Sequence, residues 1–196
     1  MIELKNNDLV FAKVKPNAII PTKEDENAGY DIYACFEEDY IVIPSHSTKL
    51  IPTGIASAVS DKYYLQVHER GSTGSKGMKY GAGVVDSSYR GEIFICINNV
   101  NHSDIIISKL SEEELIAKYS VKSVDGYTML VYGDGHFDQA YFFEDECSPI
   151  IYPYEKAIAQ LIVHEVPKMD VKEITYDELK SIPSKRGTGA LGSSGK

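Results

Sequence analysis

The sequence predicts an all-β chain of the sandwich or barrel class. Apolar runs are short and rich in β-branched and aromatic residues. Prolines and glycines punctuate them at steady spacing. Helical signals are confined to two brief spots near residues 111 and 175.

Residues 9–14, 40–43, 49–51, 63–68 and 92–97 have strand length and strand content. Pro16, Pro21, Pro44 and Pro52 fall between them, where a residue without an N–H ends a ladder. Val84 and Val85 predict a strand running up to Asp86. Ser111 with Glu114, and Thr175 with Glu178, have capping-box spacing and predict short helices. The runs at 127–132 and 140–143 flank Gly133-Asp134-Gly135, which predicts a hairpin.

At 196 residues the chain is long enough for one domain with a substantial core. A net charge of −9 argues against nucleic-acid binding, which needs a basic footprint. A nucleotide substrate remains open, since a few local Arg and Lys suffice for it. No apolar run reaches the ~18 residues of a membrane span, and the N-terminal residues lack the apolar core of a signal peptide. Cys35, Cys96 and Cys147 have no CxxC spacing and read as buried thiols of a reducing compartment. The expected location is the cytoplasm, or a host cell's cytoplasm or nucleus for a viral chain.

The densest chemical signal is Gly81-Ala82-Gly83-Val84-Val85-Asp86-Ser87-Ser88-Tyr89-Arg90-Gly91-Glu92. It sets a carboxylate three positions from an aromatic ring, between glycines that permit close backbone approach. Asp86 is either a base beside a stacking ring or a turn residue bonding its own backbone.

This stretch and four others, in order, resemble the five motifs of the trimeric deoxyuridine triphosphatases (dUTPases). Ala28-Gly29-Tyr30-Asp31-Ile32-Tyr33-Ala34 resembles the first motif and Glu69-Arg70-Gly71-Ser72-Thr73-Gly74 a variant of the second. Gly83-Val84-Val85-Asp86-Ser87-Ser88-Tyr89-Arg90-Gly91 resembles the third, and Ala157-Ile158-Ala159-Gln160-Leu161-Ile162 the fourth. Arg186-Gly187-Thr188-Gly189-Ala190-Leu191-Gly192-Ser193-Ser194-Gly195 resembles the fifth.

The resemblance implies a jelly-roll β-barrel, a homotrimer with shared active sites, and hydrolysis of dUTP to dUMP and pyrophosphate with Mg²⁺. It implies Asp86 as the water-activating base and Tyr89 as the ring that excludes a 2′-hydroxyl. The backbone of 80–83 would read the uracil, with Gly83, Val84 and Val85 against the nucleoside. Arg70, Gly71, Ser72 and Gln160 would face phosphates, and Asp31 would meet the metal through water. Arg186 would clamp the γ-phosphate from a flexible arm, 183–196, that follows a 1–182 body. Leu191, Gly192 and Ser193 would close over the base.

The chain departs from the family at Gly71, where Ser is common, and at Leu191, where a stacking Phe is common. Tyr80 stands where some members use Asn. Tyr89 and Gln160 lie far apart, which implies an inserted α+β segment at about 102–153, either a surface elaboration or a docking platform for a protein. Two other readings stand beside dUTP hydrolysis. One is a dCTP deaminase, which needs a Glu beside the cytosine and has only Glu92, after the motif. The other is a regulatory binding protein working through the insertion.

Overall fold

The computed structural model describes residues 3–5, 7–122, 128–131, 140–142 and 148–189. Strands dominate. In order they are β1 (Leu9–Lys13), β2 (Gly29–Ile32), β3 (Tyr40–Ile43), β4 (Thr48–Pro52), β5 (Ile55–Val59) and β6 (Tyr63–His68). A single helical turn, α1 (Gly71–Gly74), precedes β7 (Met78–Gly81), β8 (Val84–Val85), β9 (Phe94–Asn99) and β10 (Ile105–Ser108). Helix α2 (Glu112–Tyr119) leads into β11 (Ser120–Lys122), β12 (Thr128–Val131) and β13 (Ala140–Phe142). The chain then forms β14 (Ile150–Pro153), β15 (Ala159–Glu165) and α3 (Tyr176–Ser181).

The expected strands are present, and the predicted helices form with their caps. The Ser111 hydroxyl accepts the Glu114 N–H at 3.2 Å, and the Glu114 carboxylate accepts the Ser111 N–H at 2.8 Å. Thr175 and Glu178 pair in the same reciprocal way. β12 and β13 pair antiparallel, as a hairpin requires, while Gly133-Asp134-Gly135 lies outside the described residues. α1 had no sequence signal, because a Gly-Ser-Thr-Gly run carries no helical period.

Two sheets frame the functional region. One runs β2-β15-β6-β8 and the other β4-β9-β7. β9 alternates strictly, with Ile95 and Ile97 turned into the core and Phe94 and Cys96 turned outward. β5 and β6 alternate likewise, so Ile55, Leu65 and Val67 join the same core. This alternation fixes register, since a one-residue slip would expose every core side chain.

β10 is buried on both faces, pairing β3 antiparallel and β14 parallel. Ile105 and Ile107 enter the main core, while Ile106 packs with Leu115 of α2 in a second cluster. Tyr119 donates to Asp39 at 2.6 Å, Lys118 pairs with the same carboxylate, and the Tyr119 ring meets Tyr40 edge-on. The hydrogen bond from Lys118 holds the Asp39 carboxyl below its ordinary range. β10 and β14, which lie within the expected 102–153 insertion, thus join β3 in one sheet.

The chain divides into two compact units, Met1–Val166 and Pro167–Lys196. The expected arm is thus the end of a longer segment. In that second unit Met169, Val171, Tyr176, Leu179 and Ile182 are exposed, Val171 at 95%.

Candidate active site

The turn after β8 is built by its backbone. Tyr89 N–H donates to the Asp86 carbonyl at 3.1 Å. The Arg90 guanidinium folds back onto the carbonyls of Ser87 (2.6 Å) and Tyr89 (2.8 Å). The Tyr89 hydroxyl donates to the Glu92 carbonyl at 3.0 Å. A Cβ on Gly91 would stand 2.4 Å from that hydroxyl oxygen, so only glycine lets the ring lie there. Asp86 and Tyr89 are both exposed.

These residues line a cavity of about 260 Å³ with Leu50, Ala82, Val84, Val85, Glu92, Ile93, Phe94 and Cys96. Leu50, Val84, Tyr89 and Phe94 stay 43–59% exposed, an apolar wall suited to a flat ring. The β7–β8 connection enters this cavity through Ala82, whose φ of +47° is rare for a residue with a Cβ. Gly83 is pressed against β6: an added Cβ would meet the Gln66 amide nitrogen at 2.8 Å and the Val67 carbonyl at 3.0 Å. Strand β8 is only two residues long, so Asp86 stands in the turn rather than at the end of a long strand.

A second, polar cleft of about 360 Å³ is lined by Asn27, Ala28, Gly29, Asp31, Arg70, Gly71, Ser72 and Gln160. Arg70 sits between β6 and α1, where Thr73 clasps it: the Arg70 N–H donates to Thr73 Oγ1 at 3.0 Å. Its guanidinium makes a two-pronged pair with Asp31, Nε to Oδ1 at 2.8 Å and Nη2 to Oδ2 at 3.0 Å. Asp31 and Gln160 are register partners across β2 and β15. Gln160 donates to the Glu69 carbonyl at 2.7 Å, and Gly29 makes room for it.

Cavity and cleft share no lining residue. Val85 pairs with Leu65, and Gln160 with His68, on opposite sides of β6. Three residues of rise and two strand spacings set Val85 and Gln160 roughly 14 Å apart.

Tyr80 does not reach the cavity. Its hydroxyl donates to the Ile158 carbonyl, and burial pushes that hydroxyl's pKa up. Its N–H donates to Glu69 Oε1 at 3.3 Å, and of the expected base-reading backbone Gly81 pairs with Cys96 of β9 and the Gly83 carbonyl accepts the Val67 N–H at 2.8 Å. Glu92 does line the cavity, but Oε1 of its carboxylate accepts the Gly54 N–H at 2.7 Å. Arg186 belongs to the second unit, where its Nε donates to the Gly189 carbonyl at 3.0 Å. Leu191, Gly192 and Ser193 lie outside the described residues. Cys35 is a buried free thiol as expected, Cys96 is only half-buried on the cavity wall, and Cys147 is outside the described residues.

Leu50, Phe94 and Cys96 were not anticipated as lining. Phe94 and Cys96 are legible afterwards as alternate positions on the strand following the third motif. Leu50 carries no local signal; it reaches the cavity through its β4–β9 pairing with Cys96.

A family model described as dUTPase matches residues 15–117. The chain belongs to the dUTPase family. A deoxyuridine 5'-triphosphate nucleotidohydrolase of Debaryomyces hansenii is 31% identical over 182 residues, covering 92% of this chain and 82% of the relative. Its Leptospira interrogans counterpart is 32% identical over 99 residues, covering 48% of this chain and 68% of the relative. Among solved structures, the Staphylococcus bacteriophage 80alpha dUTPase with dUPNHPP superposes with a TM-score of 0.66 at 22% identity. That match covers 97% of this dUTPase and 99% of the phage chain, and it establishes the jelly-roll fold.

Proposed function

We propose that this dUTPase hydrolyses dUTP to dUMP and pyrophosphate, with Asp86 taking a proton from the attacking water. The water oxygen bonds to the α-phosphorus. The bond from that phosphorus to the α,β-bridging oxygen breaks, and pyrophosphate leaves with the electron pair. The observation that carries this reading is one exposed carboxylate, Asp86, and one exposed ring, Tyr89, on the wall of a single apolar cavity. A carboxylate placed beside the attacking water can accept its proton. The Tyr89 ring against the sugar leaves no space for a 2′-hydroxyl. Gly83, Val84, Val85 and the neighbouring backbone bind the nucleoside. The reaction limits uracil in DNA and supplies dUMP for dTMP synthesis.

Arg70, Gly71, Ser72 and Gln160 bind the phosphates. Both Asp31 oxygens already accept from Arg70, so Asp31 fits a cation held by phosphate oxygens and reached through water. Among the described residues no three His, Cys, Asp or Glu gather as a metal cage. Mg²⁺ on the triphosphate supplies charge neutralisation at the phosphate oxygens.

Each active site joins the cavity of one copy to the cleft of a neighbour in a homotrimer. The disjoint linings and the separation across β6 support this. The arm of 183–196 closes the site, with Arg186 on the γ-phosphate and Leu191, Gly192 and Ser193 over the base. The exposed apolar side chains of Met169, Val171 and Leu179 support an arm that seats on another copy. The insertion of about 102–153 carries a second, partner-binding role. Its helix α2 is fastened to Asp39 and Tyr40 while Glu112 and Glu113 stay exposed. The free thiol of buried Cys35 supports a cytoplasmic location.

The test is pyrophosphate release with Mg²⁺ from dUTP, dCTP, dTTP and UTP. Release from dUTP alone is expected. Ammonia release from dCTP would move the protein to the deaminase class, and silence toward all four would leave the docking role. Site sharing is tested by refolding Asp86→Asn together with Arg70→Ala. Random mixing in a trimer with shared sites restores about a quarter of the wild-type sites. Sites confined to one copy restore none.

A further inference from the structure

We infer that Glu92 is a positioning residue for the proposed reaction: its half-buried carboxylate pins the downstream end of the Asp86–Tyr89 turn. The inference rests on the roles given above to Asp86 and Tyr89. The turn hangs between two fixed points. Upstream is Val85, buried and paired with Leu65 of β6. Downstream is Glu92, whose side chain is only 14% exposed.

Glu92 Oε1 accepts the Gly54 N–H at 2.7 Å and lies 3.9 Å from Lys15 Nζ. The next residue is stitched to the same place. Ile93 N–H donates to the Ile55 carbonyl at 2.7 Å, and Thr53 Oγ1 donates to the Ile93 carbonyl at 2.6 Å. Gly54 is a rigid anchor, with a φ of +65° and Ala18 Cβ only 2.8 Å from where its own Cβ would stand.

The link to chemistry is direct. The Tyr89 hydroxyl donates to the Glu92 carbonyl, so wherever Glu92 sits, the ring follows. Asp86 lies in the same turn, with its carbonyl accepting from Tyr89 N–H. Without the carboxylate, Gly54 N–H is left buried and unpaired, and the downstream end of the turn is released. A ring displaced by about 1 Å no longer bars a 2′-hydroxyl, and misplacement of that order costs up to ~10²-fold in rate.

The experiment compares kcat/KM for dUTP and for UTP in the wild type, Glu92→Ala and Glu92→Gln. Glu92→Ala is expected to lower the dUTP:UTP ratio at least about tenfold. Glu92→Gln keeps an acceptor oxygen for Gly54 and is expected to hold the ratio within about threefold of wild type. A merely structural role would lower Tm and leave the ratio unchanged. If Glu92→Ala does not fold, Glu92→Asp, one methylene short of Gly54, is read in the same way.

An unchanged ratio in Glu92→Ala, or in Glu92→Asp where that stands in, overturns this inference alone, as does a Glu92→Gln ratio as low as that of Glu92→Ala. A wild type that does not distinguish dUTP from UTP, or releases pyrophosphate from neither, overturns the functional reading and this inference with it.

Discussion

The Asp86 cavity and the Arg70 cleft solve the problem of fixing a side chain in opposite ways. The cavity is fixed by bonds that end on main chain: the turn's own, those of the Arg90, Tyr89 and Glu92 side chains to backbone atoms, and a left-handed Ala82. The carboxylate proposed as the base, Asp86, stays exposed. The cleft is fixed by side chains acting on one another, with Arg70 and Asp31 held as a two-pronged pair. A group poised for proton transfer is best left available, whereas a group that meets a polyanion is best aimed beforehand. Substitution of Asp86 should therefore act on kcat, and substitutions in the cleft on KM.

The largest expected effect is at Asp86. Asp86→Asn preserves shape and removes the base, so kcat for dUTP should fall by ~10²–10⁴ with KM little changed. A matching rise in KM would mean that the carboxylate also holds substrate, and the contrast between the two regions would lose its main support.

Next comes Arg70→Lys. A lysine carries the charge but cannot span both Asp31 oxygens, and it leaves that carboxylate half-paired. KM should rise about tenfold, equivalent to ~1.4 kcal/mol, with kcat nearly kept. Equal loss in kcat would show that the pair shapes the transition state as well as ground-state binding.

Gly29→Ala should act more gently on the same cleft. The new methyl would stand 2.6 Å from Gln160 Oε1 and 2.9 Å from Gln160 Cβ, so the amide must turn away and the paired β2 and β15 backbones must also give. Gln160 would then lose its bond to the Glu69 carbonyl. A rise in KM of about threefold, ~0.6 kcal/mol, is expected, with a fall in Tm from the strained β2–β15 pairing. No change in KM would remove Gln160 from the phosphate-facing set.

The contrast also explains what was legible beforehand. The cavity turn is contiguous, so residues 81–92 displayed carboxylate, ring and glycines in one reading. The cleft draws on residues 29, 31, 70 and 160, which strands β2 and β15 and the β6–α1 junction bring together. Those residues were found only through the family resemblance. Their mutual arrangement was not: Asp31 and Arg70 were assigned to metal and phosphate, but not to each other. Tyr80 shows a related limit. Strand alternation tells which side a residue faces, but its hydroxyl is satisfied by Ile158, a carbonyl 78 positions away. The strands at 105–108 and 150–153 lie within the expected 102–153 insertion, because a spacing between motifs implies added length without showing which elements it holds.

The smallest expected effect concerns Gly71, where the chain departs from the commoner Ser. An added Cβ meets nothing within 4 Å, so Gly71→Ser has space to be accommodated without strain. Serine opens a helical turn better than glycine by ~0.5 kcal/mol, which predicts a Tm gain of about 1–2 °C. The new hydroxyl would join Ser72 on a cleft already aimed by the Asp31–Arg70 pair, so KM should change by less than about threefold. A fall beyond about tenfold would mean that the hydroxyl, rather than the paired guanidinium, limits phosphate binding here. The cleft would then be incompletely built in this chain, and its rigid ion pair would be a partial compensation for the missing serine.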